Sequence, residues 1–266
     1  MTRPIILLIS FFLVACATET PIDFYNPREI DNIYNSAIDL LENEKYEMAA
    51  AEFLNVEKEY PYSKWSQKAI IMAGYSLYEG RKFNEAINQY TRYIQLYPYG
   101  EDIIYANYII GVSYYLQIAK LGRDQLNAKK ALNQFNLILE KYPESDYAAD
   151  ARLKKDLAID HIAGEEMEVG RFYLKKNYFS AAINRFKTVI SDYQTTSHIE
   201  EALARYSEAY MSMGIYSEAQ TAAAILGYNY PNSRWYEYTY NQLEKGGIKP
   251  QENSDSWISK AWESIR

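Results

Sequence analysis

The sequence predicts an all-α fold, a solenoid of about five helix pairs with one long central helix. Two observations predict it. A frame of residue types recurs five times along the chain, and apolar residues such as Ala86, Ile87 and Tyr90 follow a helical spacing within the copies. Such a fold buries its core between neighbouring helix pairs and leaves an extended surface for binding peptides or partner domains.

Positions in the frame are counted back from the residue that follows a tyrosine at its end, which we call the slot. This residue is proline in four copies and glutamine in the fifth. Alanine lies 12 residues before this slot in every copy, and an aromatic residue lies eight before it in four copies. The slots are Pro61, Pro98, Pro143, Gln194 and Pro231, and the small residues 24 positions before them are Ala37, Gly74, Ala119, Gly170 and Ser207. Small residues let the two helices of a pair approach closely, and proline ends the second helix. The frame is similar to the tetratricopeptide repeat (TPR), whose period is about 34 residues.

The intervals between slots are 37, 45, 51 and 37 residues, so two of them need an explanation. The segment Leu121–Gln125 predicts a loop insertion in the first long interval. Residues 144–177 contain no proline and predict one long helix, in which Gly164 has no explanation from the sequence. The predicted solenoid covers residues 29–245, with repeats at about 30–61, 65–98, 102–143, 146–194 and 197–231. The residues two positions after the slots, Ser63, Gly100, Ser145, Thr196 and Ser233, are mostly good N-caps for the next helix.

The N-terminus has the features of a secretory signal. Residues 1–15 carry Arg3 and then an apolar run that is too short to span a membrane. Cys16, the only cysteine, follows a small residue, as in the lipobox of bacterial lipoproteins. We therefore expect an S-diacylglycerol and an N-acyl group on Cys16, with residues 16–28 as a tether; the alternative is a free thiol near an ordinary cleavage site.

Composition narrows the possible functions. The chain has 28 basic and 35 acidic residues, a balance that argues against a nucleic-acid partner. His161 and His198 are isolated, and no catalytic or metal-binding motif is present, so we expect no enzymatic activity and no cofactor besides the lipid. The 28 tyrosines are unusual: they indicate either an aromatic groove for peptides, including Tyr75 and Tyr78, or packing between repeats.

Residues 246–266 form a separate tail. Gly246, Gly247 and Pro250 interrupt the pattern, and Trp257, Ile258, Ala261, Trp262 and Ile265 then share one helical face, with Ser254 or Asp255 as the N-cap. The tail is either a helix that caps the solenoid or a helix that binds a partner.

Several segments resemble one family in their order and spacing. They are Tyr60-Pro61-Tyr62-Ser63, Tyr105-Ala106-Asn107-Tyr108, Arg123-Asp124-Gln125, Tyr142-Pro143-Glu144-Ser145-Asp146-Tyr147 and Ala181-Ala182-Ile183-Asn184-Arg185-Phe186. Together they resemble the BamD family (also called YfiO or ComL), the lipoproteins of the β-barrel assembly (Bam) machinery. The resemblance covers about residues 25–230 and leaves out the tail.

The resemblance implies a lipoprotein on the periplasmic face of the outer membrane that works in β-barrel protein assembly and insertion. It implies binding to the periplasmic domains of BamA and to other Bam lipoproteins, with Arg185 on the BamA side. It also implies that the N-terminal repeats receive unfolded outer-membrane proteins, with Tyr60, Tyr62 and Ser63 near the substrate groove. The alternatives are a TPR lipoprotein that scaffolds cell-wall (peptidoglycan) enzymes and an enzyme with a repeat appendage.

Overall fold

The computed structural model describes residues 28–263. The predicted signal peptide, Cys16 and nearly all of the tether lie outside these residues. The described part contains twelve helices and no strand. None of the helices in residues 28–263 is both long and apolar enough to cross a membrane.

The first ten helices form five consecutive pairs, and two further helices follow. Their bounds are α1 Ile30–Glu42, α2 Tyr46–Glu59, α3 Lys64–Glu79, α4 Phe83–Leu96, α5 Ile103–Tyr115, α6 Leu126–Lys141, α7 Ala148–Lys175, α8 Phe179–Asp192, α9 Ile199–Ser212, α10 Tyr216–Asn229, α11 Arg234–Lys245 and α12 Trp257–Glu263.

Each of the helices α1 to α11 packs against its neighbours in this series, and contacts also join α1 to α3, α5 to α7, α7 to α9 and α9 to α11. The odd-numbered helices α1 to α11 therefore form one layer, and the even-numbered helices α2 to α10 form the second. Helix α7 has 28 residues and a length of about 40 Å. The predicted TPR-like α-solenoid of five helix pairs with one long central helix is confirmed.

The two helices of a pair pack closely because a small residue on one helix faces a buried aromatic ring on the other. A Cβ atom added to Gly74 would lie 2.8 Å from Cζ of Tyr90, and one added to Gly170 would lie 2.4 Å from Cε1 of Phe186. Phe186 is fully buried in the core of the last two repeats. No larger residue fits opposite these rings, because a buried aromatic side chain in a close-packed core cannot move away.

The small residue of the third repeat differs from the prediction. Ala119 lies in the loop between α5 and α6, and only its carbonyl oxygen has a specific role, since it contacts Nε2 of His161 at 2.8 Å. Gly111 on α5 lies against the ring instead, with its added Cβ 2.8 Å from Cε1 of Phe135. The assignment of Ala119 was wrong because the inserted loop separates the slot from the first helix of its repeat.

Gly164 is explained by a contact between repeats. A Cβ at this position of α7 would lie 3.0 Å from Nε2 of His198 and 3.4 Å from Cδ2 of Leu121. Glycine therefore makes room for a histidine ring and for the inserted loop at the same point of the helix.

The N-cap prediction holds at two of its five positions. The hydroxyls of Ser63 and Ser233 accept hydrogen bonds from backbone N–H groups of the helices that follow, each at 3.1 Å. Ser145 and Thr196 instead donate to the carbonyl oxygens of the tyrosines three residues earlier. Their helices begin only three residues after them, and so does α5 after Gly100, so these residues belong to the turn rather than to the cap.

The tail folds back along the side of the last two repeats. Helix α12 packs on α10 and α8, with Ile258 fully buried and Trp257 stacked on the Lys187 ammonium at 4.0 Å. Its first turn is capped by Ser256, which accepts from the N–H of Ile258 at 3.2 Å, and not by Ser254 or Asp255. The tail thus covers part of the second layer, while α11 packs on the end of the solenoid.

Candidate functional site

The inserted loop and Arg185 meet at one place, which we call the charged cleft. The loop folds against α7 and α8 and encloses a volume of about 350 Å³. The cleft is lined by Arg123, Asp124, Gln125, Lys129, Ile162, Glu165, Glu166, Val169 and Arg185.

Specific hydrogen bonds shape the loop of the charged cleft. The backbone N–H of Gly122 donates to the Glu165 carboxylate, and Oδ1 of Asp124 accepts from the N–H of Leu126 at 3.0 Å. Gln125 is largely buried and donates from Nε2 to the carbonyl oxygen of Arg123 at 2.8 Å. The loop is therefore a defined structure that places the Arg123 and Asp124 side chains at the rim.

In the charged cleft, the carboxylates have partners within the chain and two of the cations do not. Arg185 pairs with Glu166, at 3.0 Å between Nη1 and Oε2, so all three carboxylates of the cleft have partners within the chain. Within residues 28–263, the side chains of Arg123 and Lys129 have no hydrogen-bond or ion-pair partner. The cleft can therefore accept a further carboxylate without breaking an existing contact.

A second surface, which we call the tyrosine cluster, lies on α3, α5 and the start of α7. It contains Tyr75, Tyr78, Tyr105, Tyr108 and Tyr147. The rings of Tyr108 and Tyr147 stack with centroids 4.8 Å apart, and Tyr105 lies 6.0 Å from Tyr147. Burial, and then the neighbouring phenols that include Tyr75 and Tyr78, raise the pKa of Tyr105 to about 12. The five side chains are half-buried, so the cluster presents part of its aromatic surface to solvent.

One carboxylate is joined to the tyrosine cluster. Oη of Tyr108 donates to Oδ2 of Asp150, which also receives the Lys154 ammonium at 2.7 Å. Burial alone would raise the pKa of Asp150, but the hydrogen bonds from Lys154 and Tyr108 outweigh it and keep this pKa below its ordinary value. Asp150, Lys154 and the Tyr108 hydroxyl thus satisfy one another.

The predicted groove residues fall into two separate groups. Tyr60 donates from its hydroxyl to the carbonyl oxygen of Arg28 at 2.5 Å, Ser63 caps α3, and Tyr62 is fully exposed. Tyr75 and Tyr78 lie more than three turns further along α3, about 18 Å away, in the tyrosine cluster. The structure does not bring the two groups into contact. Arg185 lies in the charged cleft, and Cys16 lies outside the described residues.

Sequence reasoning missed most of the residues that complete the two surfaces. Arg123 was noticed only as part of a motif, because nothing in a sequence joins it to Arg185, 62 residues away. The ion pair between Asp150 and Lys154 could have been predicted, since a spacing of four residues on a helix is typical of such a pair. The two histidines are structural contacts, and no group of three potential metal ligands occurs in residues 28–263.

Comparisons with known proteins show which family the chain is similar to. The family model YfiO, outer membrane lipoprotein, matches residues 28–226. An outer membrane protein assembly factor BamD of Caulobacter vibrioides is 40% identical over 91% of this chain and 80% of its own length. The BamD of Rickettsia prowazekii is 43% identical over 81% of this chain and 86% of its own.

Among solved structures, the TPR domain of P58(IPK) aligns with a TM-score of 0.40 at 13% identity, over 88% of this chain and 64% of that one. PilW, a type IV pilus biogenesis factor, aligns with a TM-score of 0.36 at 16% identity, over 79% of this chain and 98% of its own. The family match covers α1 to α9 and most of α10, including the charged cleft and the tyrosine cluster. The chain belongs to the BamD (YfiO) family of outer membrane protein assembly factors.

Proposed function

We propose that this protein is a non-enzymatic factor of the Bam complex that holds unfolded outer-membrane proteins and docks onto the periplasmic domains of BamA. The observation that carries the proposal is the charged cleft. In a BamD-family chain, two separate family segments, the Arg-Asp-Gln loop and the Asn-Arg-Phe segment, converge on one concave site with unpaired cations.

Docking at the charged cleft would use a carboxylate of the partner. Arg185 uses Nη1 for Glu166, and its other N–H groups are available for a second acceptor. Arg123 and Lys129 supply two further positive charges beside it. A partner carboxylate at this point would meet the two unpaired cations and the remaining N–H groups of Arg185, and charge-assisted hydrogen bonds from them would compensate its desolvation.

The tyrosine cluster suits the second role, because an unfolded substrate offers many different sequences. Aromatic rings stack on large apolar side chains without requiring one fixed partner, and tyrosine hydroxyls can bond to a peptide backbone. Asp150 and Lys154 neutralise each other at the edge, so the surface does not select for charge. Substrates whose C-terminal residue is aromatic would bind there, and Tyr60, Tyr62 and Ser63 would mark the other end of the groove.

The proposed location of the protein depends on the lipid anchor expected at Cys16. Lipids on Cys16 would fix the chain at the periplasmic face of the outer membrane. The first helix begins at Ile30, so a short tether would keep the solenoid close to the membrane surface.

Replacement of Arg185 by glutamate tests the docking proposal. In Arg185→Glu the new carboxylate would face Glu166 and would repel an acidic partner. We expect the Kd for purified periplasmic domains of BamA from the same organism to rise at least tenfold, while the melting curve stays close to wild type, because an exposed ion pair contributes little to stability.

Arg92→Glu is a matched control. Arg92 pairs with Glu57, and the side-chain exposures of this pair, 44% and 17%, nearly equal those of Arg185 and Glu166, 44% and 20%. This variant should bind BamA normally. Equal affinities for Arg185→Glu and wild type would refute the role of the charged cleft. Failure of the wild-type chain to bind BamA, together with capture of peptidoglycan hydrolases, would instead favour a cell-wall scaffold.

A further inference from the structure

The five connections that leave the even-numbered helices α2 to α10 share one backbone but not one surface. In each of them, the N–H of the residue two positions after the slot donates to the carbonyl oxygen of the tyrosine before the slot, at 2.9 to 3.1 Å. The residue directly after the slot is exposed in all five copies. The fold therefore makes the same local demand at each connection and leaves this exposed residue free to vary.

Only the first two connections carry a large aromatic side chain at this exposed position. The residues are Tyr62 and Tyr99 in the first two copies, and Glu144, Thr195 and Asn232 in the last three. Tyr62 is 101% exposed and Tyr99 is 98% exposed, and neither side chain has a hydrogen bond or a ring contact within residues 28–263. Since the same turn forms with polar residues, the two tyrosines serve neither the turn nor the core.

The first two connections lie side by side on one edge of the solenoid. Nη1 of Arg92 on α4 donates to Oε2 of Glu57 on α2 at 2.7 Å, so an ion pair joins the C-terminal parts of the two helices. The connections follow directly, at residues 60–63 and 97–102. We call the edge that they form the anchor edge.

Arg28, the first described residue, also lies at the anchor edge. Its N–H donates to Oε2 of Glu59 at 2.9 Å, and its carbonyl oxygen accepts from the hydroxyl of Tyr60 at 2.5 Å. Cys16, on which a lipid is expected, precedes Arg28 by 12 residues, which span about 40 Å at most. The opposite edge lies farther from Cys16 by the length of α2, about 20 Å. A membrane that holds the lipid therefore meets the anchor edge first.

The charges around Tyr62 favour an anionic surface. Lys58, in the last turn of α2, and Lys64, in the first turn of α3, are exposed and have no hydrogen-bond or ion-pair partner within residues 28–263. Glu59 lies between them in the chain and is paired with Arg28. Glu101, beside Tyr99, is an exposed carboxylate, so the positive charge of the anchor edge is concentrated at its Tyr62 side.

We propose that the anchor edge rests on the lipid surface, with the rings of Tyr62 and Tyr99 at the boundary between headgroups and acyl chains. This inference rests on the proposed function, which includes the lipid on Cys16. Tyrosine is favourable at such a boundary because it combines an apolar ring with a polar hydroxyl, and nearby lysines attract anionic lipids. A protein partner is a poorer match, because the two rings project from the edge instead of forming a pocket.

This contact would orient the solenoid, which a lipid on a tether alone does not. The anchor edge would face the membrane, and the turns at the other ends of the helices would face away from it. The end of the proposed groove near Tyr60 and Ser63 would then open at the membrane surface.

A fluorophore on an introduced cysteine measures how close each edge lies to lipid. Cys16 is the only cysteine, and its thiol is blocked in the lipidated chain, so Gln95→Cys near the anchor edge and Asn43→Cys at the opposite edge each supply one free thiol. Both changes replace an exposed neutral amide. In vesicles of phosphatidylethanolamine and phosphatidylglycerol with brominated acyl chains, we expect the label at position 95 to be quenched and the label at position 43 to stay unquenched.

Variants drawn from the later copies test the two tyrosines. Tyr62→Asn and Tyr99→Thr introduce the residues of the fifth and fourth copies, which the same turn accepts. In this double variant, quenching at position 95 should fall to the level at position 43, while the melting temperature and the Kd for the periplasmic domains of BamA stay unchanged. The control Tyr178→Asn with Tyr216→Asn changes exposed tyrosines of the opposite edge and should leave the quenching at position 95 intact.

Three results would overturn the inference and leave the proposed function standing. One is equal quenching at positions 43 and 95, or quenching at position 95 that the double variant retains. Another is a label at position 95 that responds to the BamA domains and not to lipid, because the edge would then bind protein. The third is a melting temperature lowered by several degrees in the double variant, because the tyrosines would then serve the fold.

Two further results separate this inference from the proposed function. A wild-type mature chain whose Cys16 reacts with a maleimide carries no lipid, and the proposed location and this inference then both fail. If the wild-type chain does not bind BamA but its anchor edge is quenched as expected, the inference stands and the docking proposal fails.

Discussion

The two ends of α7 carry surfaces of opposite character. At its N-terminal end, Asp150 and Lys154 neutralise each other beside the tyrosine cluster, and the surface is aromatic with its polar groups satisfied. Toward its C-terminal end, Glu165 and Glu166 bind the inserted loop and Arg185, and the cations around them remain partly unpaired. The first arrangement suits a ligand of variable sequence, and the second suits one defined partner.

The length of α7 makes this comparison functionally relevant. An uninterrupted helix joins the two surfaces, so the distance between them is set by its rise of about 1.5 Å per residue. A substrate held at the tyrosine cluster would therefore lie at a constant distance from a partner docked at the charged cleft. The structure gives no reason to expect the two sites to compete for the same ligand.

The tail should stabilise the C-terminal half of the solenoid and not the N-terminal half. Among the predictions made here, its removal has the largest expected effect. Its described residues, 246–263, pack on the last two repeats, where Ile258 is buried fully and Trp257 and Trp262 partly. Deletion of residues 247–266 should cost about 3–5 kcal/mol in the local unfolding free energy of α8 to α11, because it removes one core aliphatic and two large aromatic side chains.

Hydrogen exchange measured by mass spectrometry checks this prediction. Protection should fall in α8 to α11 and remain unchanged in α1 to α4, which serve as the internal control. Uniform loss of protection along the chain would show that the halves unfold as one unit. Unchanged protection everywhere would identify the tail as a partner-binding helix that contributes nothing to its own repeats.

Two glycines of α7 provide the next test, since both face an aromatic ring but only one ring is fixed. Gly170→Ala should cost about 2–3 kcal/mol, because Cε1 of the buried Phe186 lies 2.4 Å from the new Cβ. Gly164→Ala should change the stability by less than about 1 kcal/mol, because the gain in helix propensity offsets a contact with the His198 ring, which can shift. Urea unfolding of the two variants measures the difference, and equal losses would contradict it.

The repeat pattern was readable from the sequence because it depends on local chemistry. Proline ends a helix wherever it stands, and a small residue opposite a ring repeats with the helix pair. Both signals therefore survive without tertiary information, and they predicted the long α7 and the core position of Gly170. Ala119 was misassigned because counting along the chain cannot distinguish an insertion inside a helix pair from one between pairs.

The candidate sites were only partly readable, because they are formed by residues far apart in the chain. Arg185 was indicated by family resemblance, but its neighbours Arg123 and Lys129 lie on another repeat. Exposure also had to be measured, since the sequence does not show which tyrosines are half-buried.

The smallest predicted effect concerns the charge at the N-terminal end of α7. Tyr108→Phe removes one of the hydrogen bonds that keep the pKa of Asp150 low. A carboxyl group whose pKa is lower in the folded state stabilises that state at every pH above its unfolded pKa of about 3.9, and this contribution is lost as the pH falls through the folded pKa. The variant should therefore be less stable than wild type at pH 7, by about 1 kcal/mol. Near pH 3, below the unfolded pKa, the loss should be smaller, since the hydrogen bond weakens as Asp150 takes up a proton. Tyr115→Phe is the control, because its hydroxyl has no carboxylate partner in residues 28–263. Urea unfolding at both pH values gives the comparison. If the two variants respond equally to pH, the Tyr108 hydroxyl does not hold Asp150, and the ion pair with Lys154 alone keeps the pKa of this carboxyl group low.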